Sequence, residues 1–399
     1  MAGTTPQTGA TVDTRATTEQ TGTTAQTAER GRARAPVAIV DCDIHNAPAS
    51  EAALLGYMPE RWSRARASGG RLDAAIESRR ETLGDRSYLG AEYPRPTPRA
   101  ARTDSWPPSG HPPASDLDFM REQLLDMYGI EVGVLTPMLG AGEQLDLERG
   151  AALASAINDW QIAEWLEPEP RLRASINMAY EDGELAAAEI HRRADDPRFV
   201  QALMLIRTAE PMGRRKYWPI YEACAEHGLQ VMSHAFGSYG HPITGAGWPS
   251  FYVEEHIGPA QAMQANVISM VSEGVFDHFP TVNVVSVENG FGWLPSLIWR
   301  LEHSWTLLKS ELPHLKREPA EYVREHLYLT TQPVEEPHKP AYFLQLVEQY
   351  GDTIDHLLFA SDYPHWDADD PDFALPGYLP AKTRRKIQFE NARALHRLE

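Results

Sequence analysis

Five acid–base or metal-binding side chains stand at the ends of short apolar runs in this 399-residue chain. Asp43 and His45 follow the first run, His234 and Glu288 follow later ones, and Asp362 follows the last. Carboxylates and imidazoles are side chains that bind Zn²⁺ or Mn²⁺ and transfer protons. A single Asp in such a place is more often a helix cap, and a single His more often a structural residue. Because ligand-type residues end several separate apolar runs, the sequence favours one metal-dependent site.

The elements that must position these residues are eight predicted strands, each followed by a predicted helix. Their alternation over residues 37–399 is typical of an α/β protein folded as a (β/α)₈ TIM barrel. A doubly wound open sheet is the alternative, but no glycine-rich phosphate loop follows the first strand. The predicted strands are Val37–Asp43, Ile130–Thr136, Leu172–Met178, Phe199–Ile206, Leu229–Ser233, Val282–Val287, His326–Thr331 and His356–Ser361.

In a barrel of this kind the active site lies at the carboxyl ends of the strands. Residues two apart on a strand project to the same face, so Asp43 and His45 can reach one ion. His234 ends the fifth strand and Asp362 ends the eighth. The set contains two carboxylates, two imidazoles and no thiolate. We therefore expect one divalent metal ion as cofactor, with Zn²⁺ first and Mn²⁺ as its rival.

Other residues near the predicted strand ends are candidates for catalysis or substrate contact. Glu288 is a candidate general acid or base, or a supporting residue, and His256 is either a proton donor or a surface residue. His365 and Trp366 follow the eighth strand, and Trp293 follows the sixth. We expect these three to line a substrate pocket, because aromatic side chains suit a flat apolar ligand.

Composition narrows the partners of the chain. The formal net charge of −19 argues against nucleic-acid binding, which needs Lys and Arg to neutralise phosphates. No apolar run approaches the ~20 residues of a membrane span. Two cysteines provide no disulfide framework and indicate a reducing, cytoplasmic location. A small-molecule substrate is the expected partner.

The domain organisation follows from the same patterns. Residues 1–35 are rich in Thr, Gln, Ala and Gly and predict a disordered N-terminal tail. Residues 36–399 form the predicted barrel. Within it, residues 46–115 make a long insertion after the first strand, either a lid or a disordered segment. Because barrels with such insertions often pair through them, we expect a homodimer.

Several short motifs give the chain a family resemblance. The chain resembles the amidohydrolase-related family, in particular the branch around aminocarboxymuconate-semialdehyde decarboxylase, from about residue 37 to the C-terminus. The motifs that carry the resemblance are Asp43-Ile44-His45, Ser233-His234, Ser272-Glu273-Gly274-Val275-Phe276-Asp277, Glu288-Asn289-Gly290-Phe291-Gly292-Trp293-Leu294-Pro295, Thr330-Thr331-Gln332-Pro333 and Ser361-Asp362-Tyr363-Pro364-His365.

This resemblance implies a (β/α)₈ barrel with one divalent metal. It places the metal ligands at Asp43, His45, His234 and Asp362. Two departures from the family pattern are visible. Many relatives begin with His-x-His, where this chain has Asp43, and the decarboxylases usually carry a catalytic histidine where this chain has Glu288.

Two reactions suit the predicted site. The first is non-oxidative decarboxylation of a small aromatic or conjugated acid, with Asp362 or Glu288 protonating the carbon. The second is hydrolysis of an amide, lactone or related bond, with Asp362 accepting a proton from metal-activated water. A barrel that binds ligands without catalysis is a third hypothesis, which a failure to hold metal would favour.

Overall fold

The computed structural model describes residues 38–62, 101–237 and 241–398. Eight parallel strands pair in chain order, from the first to the eighth. They are β1 (Ile39–Ile44), β2 (Ile130–Leu135), β3 (Leu172–Ile176), β4 (Phe199–Leu205), β5 (Gln230–His234), β6 (Val284–Val287), β7 (Leu327–Thr330) and β8 (Leu357–Leu358).

The end of the sheet returns to its beginning. The Cys42 N–H donates to the Phe359 carbonyl at 3.0 Å, and the His45 N–H donates to the Tyr363 carbonyl at 2.8 Å. Ile44 and Tyr363 also form a parallel bridge. These contacts bring the carboxyl end of β8 beside β1, so the predicted (β/α)₈ barrel is confirmed.

Helices connect successive strands and pack around the sheet. The sequence favours them through N-caps such as Asp146 and Asp182, whose carboxylates accept backbone N–H groups of the first turn. The helices are α1 (Glu51–Leu55), α2 (Leu117–Met120), α3 (Leu147–Gln161), α4 (Gly183–Arg193), α5 (Trp218–His227), α6 (Tyr252–Ile257), α7 (Pro259–Glu273), α8 (Val275–His278), α9 (Leu294–Leu308), α10 (Pro319–His326), α11 (Pro340–Tyr350), α12 (Ala381–Arg385) and α13 (Asn391–Leu395).

The core lies between the strands and these helices, and the strands themselves are almost wholly buried. Every residue of β4 is buried, as expected for a parallel sheet covered on both faces. Trp160 of α3 and Tyr221 of α5 are among the largest side chains with no exposed surface. Packing on both faces of the sheet therefore fixes the positions of the strand ends.

Two details of the sequence prediction are wrong. The pattern predicts one helix over Val253–Ser272, but α6 and α7 are separate, because Pro259 lacks the N–H that would continue the first helix. The pattern also places Met127 on one helix face with Met120 and Leu124, which are buried, whereas the Met127 side chain is 51% exposed. A π-helical turn over Arg121–Leu125 shifts the register, and Leu125 takes the buried place.

The predicted domain limits are only partly within the described residues. Ala38–Glu399 forms one compact unit, while the tail prediction for residues 1–35 falls outside the described residues. Of the predicted insertion, residues 46–62 and 101–115 are described, and they include α1 and a 3₁₀ turn at Thr103–Ser105. Among the described residues, no helix is both long and apolar enough to cross a membrane.

Gly213 offers a test of the packing between the β4–α5 loop and α7. A Cβ atom at Gly213 would overlap the backbone of Ser269. We expect Gly213→Ala to lower the free energy of unfolding by about 1–3 kcal/mol, the usual cost of overpacking. Gly245→Ala is the control, since its Cβ would meet nothing within 4 Å. Equal thermal unfolding temperatures for both variants would contradict this packing.

Candidate metal and active site

Two buried histidines direct the same ring nitrogen toward Asp43. His45 donates from Nδ1 to the Thr136 carbonyl at 2.8 Å, and His234 donates from Nδ1 to the Ala235 carbonyl at 3.0 Å. Nε2 is the nitrogen of each ring that remains for Asp43 or a metal ion. These atoms lie 3.4 Å and 3.2 Å from Asp43 Oδ2. Backbone carbonyls in this role are typical partners of metal-binding histidines.

Asp362 completes this group from the end of β8. Its Oδ1 lies 2.9 Å from His45 Nε2 and 2.7 Å from His365 Nδ1. Its Oδ2 accepts a hydrogen bond from Gln332 Nε2 at 3.2 Å. The His365 ring stacks on His45 with centroids 4.2 Å apart. Asp362 is therefore fixed from three sides.

Asp362 and Glu288 share an unusual backbone conformation at their strand ends. Their φ angles are 60° and 58°, in the left-handed region, where a residue with a Cβ is strained by roughly 1–2 kcal/mol. Backbone hydrogen bonds hold both: the Asp362 N–H donates to the Asp43 carbonyl, and the Glu288 N–H to Thr330 Oγ1. Such strain is concentrated at functional sites.

The three acids of this site differ in their protonation. Burial alone would raise the pKa of Asp43, but His45 and His234 lower that pKa well below its usual range. Burial likewise opposes the effect of His365 and His45, which lower the pKa of Asp362. Burial, together with the charge of Asp362, raises the pKa of Glu288 well above its usual value. Carboxyl groups whose pKa values are shifted in opposite directions are a pattern found where one group serves as base and another as acid.

The unpaired atoms of the site suit a cation. Asp43 Oδ1 and His45 Nε2 are buried and make no hydrogen bond, although Asp362 Oδ1 lies close to the imidazole. Buried polar atoms without partners are costly, and a divalent ion removes that cost. Asp43, His45 and His234 bring their ligand atoms within 4.8 Å of one another. A single Zn²⁺ or Mn²⁺ fits this donor set.

Glu288 also lies beside His234. Its Oε2 is 3.5 Å from His234 Nε2, and its side chain is nine-tenths buried. Glu288 also lies within 4.8 Å of ligand atoms of His45, Asp362 and His365. The predicted acid–base candidate is thus in contact range of the metal site.

His256 and Trp366 meet on the outer rim of the site. His256 Nε2 lies 2.7 Å from Asp367 Oδ2. The centroid of the His256 ring lies 5.5 Å from that of Trp366 and 5.6 Å from that of Tyr252. Trp366 is 44% exposed, so this aromatic group faces the opening of the barrel.

Trp293, by contrast, belongs to the hydrophobic core. Its indole Nε1 donates to the carbonyls of Asn289 and Gly290, at 3.0 Å each. These bonds brace the loop that follows Glu288. A pocket role for Trp293 stays a prediction.

An apolar hollow lies beside the two histidines. Leu205 is the register partner of His234 in the sheet, and Pro137 directly follows the Thr136 carbonyl that accepts from His45. The hollow between these points has room for no more than about one water molecule. Its lining includes Met138, Leu139, Met178, Tyr180, Leu203 and Leu205.

Sequence reasoning did not single out Asp367, and it named Gln332 only as part of a strand end. Gln332 Nε2 contacts both Asp362 Oδ2 and the Asp367 carbonyl. Asp367 holds His256. The available signal was the recurrence of acids in the loop after β8, where Asp367 follows Asp362 by five positions.

Comparison with known proteins identifies the family. The family model described as Amidohydrolase matches residues 40–398. The chain belongs to the amidohydrolase family. The resemblance predicted from the motifs is therefore confirmed, and the chain is an enzyme of this family.

Curated proteins with sequence similarity to the chain include decarboxylases. A gamma-resorcylate decarboxylase from Polaromonas sp. (strain JS666) is 27% identical over 302 residues, which cover 71% of this chain and 88% of the relative. A second one, from Rhizobium sp. (strain MTP-10005), is 26% identical over 298 residues with the same coverage.

Solved structures share the fold. A dihydroxybenzoic acid decarboxylase from Polaromonas sp. JS666, with manganese and 2-nitroresorcinol bound, gives a TM-score of 0.60 at 21% identity, covering 90% of this chain and 97% of that one. A 5-carboxyvanillate decarboxylase from Novosphingobium aromaticivorans, also with manganese, gives 0.63 at 19% identity, covering 90% and 96%. At these identities the likeness shows the barrel architecture.

Metal content tests the donor set without any substrate. We expect His234→Ala to lower bound Zn²⁺ or Mn²⁺ from about one equivalent per chain to a small fraction, because one of few protein ligands is lost. His303→Ala is the control, since His303 is exposed on α9 and belongs to none of the candidate metal-ligand groups of the described residues. Elemental mass spectrometry measures both. Full occupancy in His234→Ala would remove His234 from the ligand set.

Proposed function

We propose that the protein is a metal-dependent, non-oxidative decarboxylase of a small aromatic or conjugated carboxylic acid. The observation that carries the proposal is the convergence of His45, Asp362 and Glu288, whose ligand atoms lie within 4.8 Å of one another at one metal-type site. The curated relatives are named as decarboxylases of gamma-resorcylate, which supports this reaction class.

In this proposal the metal ligands are Asp43, His45, His234 and Asp362. A divalent ion held by them would supply positive charge for the carboxylate of the substrate and a neighbouring oxygen. Asp362 is kept ionised and immobile by His365 and His45. The other residues of the site then determine where the substrate lies and where its proton comes from.

Glu288 is the proposed proton donor. Its raised pKa keeps a proton on a buried carboxyl close to His234. Transfer of that proton to the ring carbon accompanies cleavage of the C–C bond, and carbon dioxide leaves with its former bonding electrons left on the carbon. Glu288 then regains a proton from solvent. Asp362 is the alternative donor, but it would first have to take up a proton, which its lowered pKa disfavours.

The substrate body has the outer side of the site available to it. His365 and Trp366 bound the outer side, and His256 adds a polar group there. These surfaces suit a planar ring, whose faces stack on aromatic side chains.

Hydrolysis is the second candidate, and one observation favours it. Glu288 occupies the place where the resemblance expects a catalytic histidine of decarboxylases. In hydrolysis Asp362 accepts a proton from the attacking water, and Glu288 protonates the leaving group. Products separate the reactions, since decarboxylation releases carbon dioxide and hydrolysis adds a water.

Two organisational proposals accompany this function. We propose a cytoplasmic location, which two buried free cysteines support. We also propose a homodimer, motivated by the long segment at residues 46–115. Light scattering on the purified protein tests the dimer, and a monomer at micromolar concentration would exclude it.

The proposed reaction predicts large losses from two isosteric variants. We expect Asp362→Asn and Glu288→Gln each to lower kcat about 10²- to 10⁴-fold, the usual contribution of a general acid or base. Carbon dioxide release from hydroxybenzoates is the measurement, with circular dichroism as a check of folding. Asp195→Asn, an exposed acid before β4, is the control and should retain activity.

The outcomes distinguish the two reactions. Carbon dioxide release by the unaltered protein that vanishes in Glu288→Gln supports the decarboxylase. Near-normal release in that variant removes Glu288 as donor. Hydrolysis of an ester or lactone panel without any carbon dioxide release favours the hydrolase instead.

A further inference from the structure

Three exposed side chains from two helices converge on one small volume: His191, Glu226 and His227, which we call the histidine cluster. His191 lies in the last turn of α4, and Glu226 and His227 lie in the last turn of α5. One ligand-type atom of each lies within 4.8 Å of the others. His191 Nδ1 is 2.9 Å from His227 Nε2 and 3.9 Å from Glu226 Oε2.

The histidine cluster lies away from the mouth of the barrel. α4 leads into β4 and α5 leads into β5, so the last turns of both helices stand near the amino ends of these strands. The active site of such a barrel lies at the carboxyl ends, where His234 terminates β5. A ligand held by the histidine cluster therefore does not compete with a substrate at the mouth.

The two imidazoles of the cluster face each other through ring nitrogens. Their centroids are 5.1 Å apart, with an angle of 67° between the planes. In the hydrogen-bonded pair one ring donates an N–H to the other. When that proton moves to the other nitrogen of its ring, the lone pairs of His191 Nδ1 and His227 Nε2 both become available to one ion.

The distances are close to those of a metal site. Two ligand atoms of a tetrahedral Zn²⁺ ion lie about 3.3 Å apart, since each is about 2.0–2.1 Å from the ion. The two imidazole nitrogens therefore need to separate by a few tenths of an ångström, and the Glu226 carboxylate needs to approach by somewhat more. The side chains of His191 and Glu226 are 48% and 59% exposed, so these movements meet little packing.

The surroundings supply negative charge. The carbonyl ends of two helices meet at the cluster, and the dipole of a helix favours a cation at this end. Glu226 adds a carboxylate. Arg192 and Arg193 directly follow His191 but pair with Asp159 on α3, so their charges are partly neutralised there.

One positive neighbour restricts the kind of ion that can bind. A Cβ atom at Gly228, which follows His227, would lie 3.0 Å from Arg397 Nη1. This guanidinium repels any cation, so attraction between charges alone is a weak basis for binding. Bonds from imidazole nitrogen strengthen the binding of Zn²⁺ or Cu²⁺, whereas Mn²⁺, Mg²⁺ and Ca²⁺ prefer oxygen ligands.

We propose that the histidine cluster is a second metal site, which binds Zn²⁺ or another ion that prefers imidazole and does not bind Mn²⁺. Two imidazoles and one carboxylate supply three ligands of a tetrahedral ion, and water takes the fourth position. The bound ion joins the ends of α4 and α5. The site differs in selectivity from the one at the mouth, whose two carboxylates and two imidazoles suit Zn²⁺ or Mn²⁺.

Metal counts on matched variants test this site. Untagged unaltered protein and His227→Ala are dialysed to equilibrium against micromolar Zn²⁺ or Mn²⁺, and elemental mass spectrometry gives the ions bound per chain. We expect the unaltered protein to hold about one Zn²⁺ more than His227→Ala, because two remaining ligands bind weakly. The Mn²⁺ content should be equal in both. This difference does not depend on how much metal the mouth holds.

The affinity for Zn²⁺ gives a graded measurement of the same site. Loss of a residue that only supports a metal ligand weakens binding by about 10- to 100-fold. Loss of a ligand in His191→Ala or Glu226→Gln should therefore weaken binding of the additional Zn²⁺ about tenfold or more. Dialysis over a range of free Zn²⁺ concentrations measures this change, and circular dichroism checks that each variant is folded.

His303→Ala is the matched control, since His303 is an exposed imidazole on α9 outside every group of ligand-type residues described. Its Zn²⁺ content should equal that of the unaltered protein. An equal loss in His303→Ala would show general binding to surface imidazoles and would overturn the site. The same Zn²⁺ content in His227→Ala and the unaltered protein at every concentration would also overturn it. Extra Mn²⁺ in the unaltered protein would overturn the proposed selectivity.

Discussion

The backbone hydrogen bond from the Asp362 N–H to the Asp43 carbonyl, 3.1 Å long, joins the last strand of the barrel to the first. The rest of the site depends on this closure. It places side chains separated by more than three hundred positions within reach of one ion. It also holds Asp362 in a left-handed conformation, which an isolated loop would relax. The same contacts therefore close the barrel and assemble the site.

The burial of charged groups explains why the side chains of the site have fixed hydrogen-bond partners. Asp43, His234 and Asp362 have no exposed surface, and isolated buried charges are expensive. The backbone carbonyls of Thr136 and Ala235 fix which nitrogen of each histidine faces the carboxylates. Gln332 and His365 fix Asp362 in the same way. The pocket is thus preorganised for a cation before any ligand arrives.

Strands around the whole barrel mouth contribute to the site. Asp43 lies on β1, His45 directly follows it and His234 ends β5, and the ligand atoms of these three lie within 4.8 Å of one another. Asp362, after β8, and Glu288, after β6, form a second group of this kind with His45. His45 therefore links the metal-type donors to the acid–base candidate.

The sequence by itself determined the eightfold alternation, because buried parallel strands and their helices leave local apolar patterns. It also determined Asp43, His45, His234, Glu288 and Asp362 as candidates, because strand ends are visible as the points where apolar runs stop. Only the tertiary structure decided that His256 faces Asp367 and that Trp293 braces a loop in the core. These contacts join distant segments, and no local pattern encodes them. The helix break at Pro259 and the π turn before Met127 could be predicted from the sequence only in part, since packing decides where a helix changes register.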